Sequence, residues 1–132
     1  MKLQSLAPLL NVRDCAASVA FYRDKLGFTV DTSWESDGAI RYAKLTHGPI
    51  ELMVNQPSDA QAPRNGEPYS GMILFLRVDS VHDLYKELRA KGCAPREPTS
   101  ESYGIDEMHL ADPDGYWLGF SSPVSMARSS VA

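Results

Sequence analysis

The chain has 132 residues, of which 43% are hydrophobic and 23% charged, and it carries a net charge of −4. That is enough for one compact domain with a real core. It leaves no apolar run near the roughly 20 residues of a membrane span, and no basic cluster for nucleic acid or anionic lipid. Cys15 and Cys93 are the two cysteines and do not make a disulfide framework, while the N-terminal MKLQSLAPLL has too little charge and too short an apolar stretch for a signal peptide, so a cytoplasmic location is the default expectation.

In chain order, LAPLLNV predicts a first strand and DCAASVAFYRDKLG a helix capped by Asp14 and stopped at Gly27, with Val19, Tyr22 and Leu26 as its buried stripe. FTVDTSW, IRYAKLTH and PIELMVN follow as strands, with SDGA as the turn between the first two. Residues 56–70 hold three prolines and no periodicity and read as a linker. The order then repeats. MILFLRV is a strand, Ser80 and Asp83 form a capping box, Val81, Leu84, Tyr85 and Leu88 give the helix its apolar face, and Gly92 ends it. A Pro/Ser/Thr-rich stretch with a short strand near Ala94 leads into DEMHLADPDGYWLGFS, two strands joined by an Asp-Pro-Asp-Gly turn. Phe21 and Tyr22 precede Leu84 and Tyr85 by 63 positions, so the chain is two copies of one unit of about 60 residues. The expected organisation is a single domain: unit 1 over about 5–55, linker 56–70, unit 2 over about 71–122, and a tail from 123 to 132.

NVRD with SVAFYRDKLGF, GPIELMVN, LRVDSVHDLYKELRAKG and DPDGYWLGFS together resemble the vicinal oxygen chelate superfamily, which includes glyoxalase I, extradiol dioxygenases and bleomycin-resistance proteins. The resemblance spans about residues 5–122. It implies an α+β fold of two pseudo-symmetric βαβββ units whose curved mixed sheets wrap a cavity, with helices on the convex side. It also implies a homodimer, since most members complete each cavity with both chains. The enzymes of the family hold a metal at four strand positions, which align here with Ala7, Glu51, Ile73 and Gly119. Methyl, sec-butyl and hydrogen coordinate nothing, and a divalent ion needs three or more protein ligands. The expectation is therefore that no metal is bound and no cofactor used, closest in character to the metal-free bleomycin-resistance group.

Strand alternation predicts what the cavity holds instead. Glu51 and Met53 face it, with Leu9, Ile73, Phe75, Arg77 and Trp117; Met108 and Leu110 fit the core, which turns Glu107 and His109 to the groove. Trp34 adds a second stacking surface, and Tyr103, in a Ser/Gly-flanked loop, either acts as a lid or packs on its neighbours. Glu51 is either the anchor of a cationic ligand group or the partner of Arg77. His82 and His47 are expected to be solvated. Cys15, at a helix start, has either a favoured thiolate or a buried packing role.

The expected function is binding, and so sequestration, of a small aromatic or cationic organic molecule such as an antibiotic. The competing reading is a lyase, isomerase or transferase with Glu51, Glu107 or His109 as acid or base, or as an off-pattern metal set. A third is an accessory module whose cavity is filled by Trp117 collapsed on Phe75.

Overall fold

Alternation along the strands and caps at the helix ends generate the elements seen in the computed structural model, which describes residues 1–58 and 71–124. The expected linker beyond residue 58 and the tail beyond 124 lie outside the described residues. The chain divides into two units, Met1–Arg64 and Asn65–Ala132. The first contains β1 (Leu9–Asn11), α1 (Cys15–Leu26), β2 (Thr29–Ser36), β3 (Ala39–His47) and β4 (Ile50–Asn55). The second contains β5 (Leu74–Arg77), α2 (Val81–Ala90), β6 (Thr99–Ser100), β7 (Ile105–Ala111) and β8 (Trp117–Pro123). The sheets run β1-β4-β3-β2 and β5-β8-β7-β6. In each, the strand before the helix pairs parallel with the last strand, and the remaining pairs are antiparallel. This is the α+β architecture of two βαβββ units, with the same strand order written twice.

The helix ends follow from local chemistry. Asp14 is extended, and its Oδ1 accepts the N–H of Ala17 at 3.2 Å, satisfying a donor that the first turn leaves orphaned. Gly27 closes α1 at φ 76°, where a side chain is strained, and lets its own N–H reach the carbonyl of Arg23. Ser80 caps α2 in the same way, accepting from the N–H of Asp83 at 3.2 Å. Among the described residues no helix is long and apolar enough to cross a membrane.

Each helix covers one face of its own sheet. Under α1 lie Leu10, Ala43, Leu45, Leu52 and Val54, which meet Cys15, Ser18, Val19 and Tyr22. Under α2 lie Met108, Leu110, Leu118 and Phe120, which meet Val81 and Leu88. Burial of such side chains is worth roughly 1.5–3 kcal/mol each, and it fixes strand register, because a slip of one residue would turn the apolar set outward.

Three expectations are corrected. The first strand is three residues rather than seven; Pro8 has no N–H to offer and only Leu10 of β1 is buried. The strand expected near Ala94 lies at Thr99–Ser100, after Pro95 and Pro98, which interrupt the run of donors a ladder needs. Leu26, at the last turn of α1, is half-buried, and the helix's inner stripe is completed by Cys15 and Ser18.

Candidate functional site

The face of the second sheet opposite α2 carries an open cleft of about 630 Å³. Ile73 and Phe75 form one side, and Glu107 and His109 of β7 the other. Arg96 and Glu97 precede β6, Thr99 sits on it, and Glu101 and Tyr103 occupy the loop after it. Glu107 and His109 point here because Met108 and Leu110 between and beyond them go under α2.

The floor is aromatic. Phe75 on β5, Gly119 on β8 and His109 on β7 are cross-strand partners in one row. The Phe75 ring lies over Gly119, so that a Cβ there would stand 2.6–2.8 Å from three of its ring carbons. The same ring meets His109 edge to face, with centroids 5.6 Å apart at 84°. It remains 51% exposed, so the floor is open to a ligand.

The rim is polar and mostly acidic, with Glu97, Glu101 and Glu107 against the single guanidinium of Arg96. The Tyr103 hydroxyl donates to Glu107 Oε1, and that bond pushes its pKa up to about 12, assisted by desolvation and by the nearby charges of Glu107 and Glu101. The Thr99 hydroxyl donates to Glu101 at 2.9 Å. Burial lowers the pKa of His109 from the ordinary 6.5; Arg96 pushes the same way, and Glu107 and Glu101 partly oppose it. Arg96 is held at both ends, its N–H on the carbonyl of His109 at 2.9 Å and its guanidinium 4.9 Å over the ring of Trp117.

Of the sequence-predicted residues, Ile73, Phe75, Tyr103, Glu107 and His109 therefore meet in one cleft. Trp117 lies outside the lining and presents its ring to Arg96. Arg77 is exposed at the end of β5, on the same strand face as Phe75. The Trp117 ring engages Arg96 and the Phe75 ring engages His109, beside an open cleft.

Leu9, Trp34, Glu51 and Met53 belong to the first unit, on the sheet face opposite α1. Leu9 pairs with Met53, and Trp34 with Tyr42, and Trp34 is 60% exposed. The cation beside Glu51 is Lys44, at 3.4 Å on the neighbouring strand; Asp31 lies 3.7 Å from the same ammonium. Glu51, then Asp31, raise the pKa of Lys44.

Sequence reasoning missed Arg96, Glu97, Thr99 and Glu101. Their segment, REPTSE, was legible only as a proline-broken connection. It also did not give the contacts of two histidines. His82 is not simply solvated: its Nε2 is 3.1 Å from Oδ2 of Asp106, a buried carboxylate whose other oxygen accepts the Ser100 hydroxyl at 2.6 Å. His47, though exposed, packs its ring on Phe28 at 5.7 Å. For Cys15 the packing alternative holds, since burial, with Asp14 nearby, pushes the thiol up to about 11.

The metal positions that the resemblance implies do not suit an ion. Ala7 and Ile73 offer no donor, and Glu51 is paired with Lys44. At Gly119 the Phe75 ring fills the space a ligating side chain would need. Among the described residues no three His, Cys, Asp or Glu side chains gather as a metal requires.

The chain is similar to the uncharacterized protein YraH of Bacillus subtilis (strain 168), with 29% identity over 123 residues, covering 86% of this chain and 92% of that protein. Among solved structures it is similar to TnmS3, an antibiotic binding protein from Streptomyces sp. CB03234, with 21% identity, TM-score 0.70, and 93% and 98% of the two chains covered. It is also similar to the bleomycin-binding protein of Streptomyces verticillus complexed with copper(II)-bleomycin, with 22% identity, TM-score 0.67, and 92% and 98% covered. At such identity these two structures speak for the fold. The family model described as Glyoxalase/Bleomycin resistance protein/Dioxygenase superfamily matches residues 2–120, nearly the whole chain, and the protein is a member of that superfamily.

Proposed function

We propose that this protein binds, and thereby sequesters, a small organic molecule that combines an aromatic ring with positive charge, and that it does so without a metal ion. The observation that carries the reading is the unit 2 cleft, an exposed Phe75 floor bordered by three carboxylates and one guanidinium. A volume of about 630 Å³ suits a drug-sized molecule. An aromatic face in a negative surround attracts a cationic ring through both stacking and charge. Two solved proteins of the same fold are described by the antibiotics they bind, which makes compounds of that kind the first to try. The exposed apolar side chains Leu9 and Trp34 on the first sheet are further surface for a ligand or for a second copy of the chain, in keeping with a homodimer.

A second reading rests on His109. Burial keeps this imidazole neutral near pH 7, beside the Tyr103–Glu107 pair, and a neutral imidazole in a cleft can take a proton from a bound substrate. Both readings use the same cleft and differ in whether the ligand is returned unchanged.

Titrating a panel of aromatic cations and their neutral isosteres into isotope-labelled protein tests the proposal. Shifts confined to Phe75, Tyr103, Glu107 and His109, with cations preferred, support it. Saturable binding that leaves these residues unmoved, or no binding across the panel, contradicts it. Recovery of chemically altered compound after incubation would favour the catalytic reading.

A further inference from the structure

We infer that Gly119 is the specificity-determining position of the unit 2 cleft: by lacking a side chain, it seats the Phe75 ring flat across the sheet and so creates the stacking floor for a planar cation. The inference rests on the proposed function for its ligand, but its structural part stands on separate observations. Phe75, Gly119 and His109 form one row across three strands, and Gly119 is the middle member. With no Cβ in the middle, the ring of Phe75 settles over the backbone and packs at a right angle to the ring of His109. A methyl group at 119 would stand 2.6 Å from Cε1 of that ring, well inside contact distance. One of the two must then move, and the ring, half-exposed, is the freer. A side chain at position 119 and the Phe75 ring in this place exclude each other.

The test uses Gly119→Ala, Phe75→Leu and the double variant, with 1-methylquinolinium as the probe. Gly119 does not have a positive φ, so alanine adds no backbone strain and the variant is expected to fold. In Gly119→Ala the chemical shifts of the His109 ring protons should move as the Phe75 ring current is displaced, and affinity for the probe should fall about tenfold. Phe75→Leu should cause a similar loss, and adding Gly119→Ala to it should cause no more, because the two changes act through one ring. His109 ring-proton shifts and affinity both unchanged in Gly119→Ala would overturn the inference. Additive losses in the double variant would also overturn it. Failure of the wild-type protein to bind the probe counts against the proposed ligand class, while the His109 ring-proton shifts still decide the role of Gly119 on their own.

Discussion

Cys15 shows how a single side chain's surroundings set its chemistry. Its Sγ lies against the carbonyl of Val54 at 3.9 Å and is buried, and the thiol is pushed up to about 11. A thiolate is the reactive form, so native protein at pH 8 should resist alkylation at Cys15 and react rapidly once unfolded, as mass spectrometry of labelled peptides would show. His109 gives a pH signature. Burial disfavours its imidazolium, so the unfolded chain binds that proton more readily than the folded one. The resulting stability is fully present above 6.5 and is lost as pH falls through the lower folded-state value. Thermal unfolding from pH 7.5 to 5 should show a steeper decline in wild type than in His109→Gln; parallel curves would refute this. Glu107 accepts from Tyr103 and faces the cleft, so Glu107→Gln should weaken a cationic ligand about two- to fivefold, the range of a solvent-screened charge contact, and leave a neutral isostere unaffected.

At the scale of elements, β6 is two residues long, and its ladder to β7 is reinforced by side chains. Asp106, on the sheet face that α2 covers, meets His82 of that helix and also holds Ser100 of β6, and so ties β6 to the helix. Asp106→Ala should cost about 1–3 kcal/mol in urea unfolding, the usual range for a buried hydrogen-bonded group. It should also speed hydrogen exchange at the N–H of Glu101, which bonds to Ile105 within the rim loop. A smaller loss with protection unchanged would mean that β6 is held by its backbone alone. These contacts also mark where the sequence stopped being readable. Caps and stops at Asp14, Gly27 and Ser80 are local, and the alternation of Leu52 with Met53 or Met108 with His109 is a property of one strand, so both could be read directly. The place of β6 could not, because two residues carry no period and their partner is chosen by tertiary pairing. Arg96 on Trp117 and Phe75 on Gly119 were illegible for the same reason, each being a contact between side chains brought together only by the assembled sheet.

The whole molecule repeats one βαβββ unit and has let the two copies diverge. The first copy keeps a carboxylate, Glu51, on the face opposite its helix, but neutralises it with Lys44. The second has Ile73, Phe75 and Gly119 on its open face and surrounds them with acid. In the proposed function, that face holds an organic cation and needs no ion. Calorimetric titration of an aromatic cation into chelator-treated protein, repeated after adding back zinc, manganese or nickel, tests that claim most directly. Saturable binding at one affinity with or without metal is expected; binding that appears only when a transition ion is restored would refute metal-free binding.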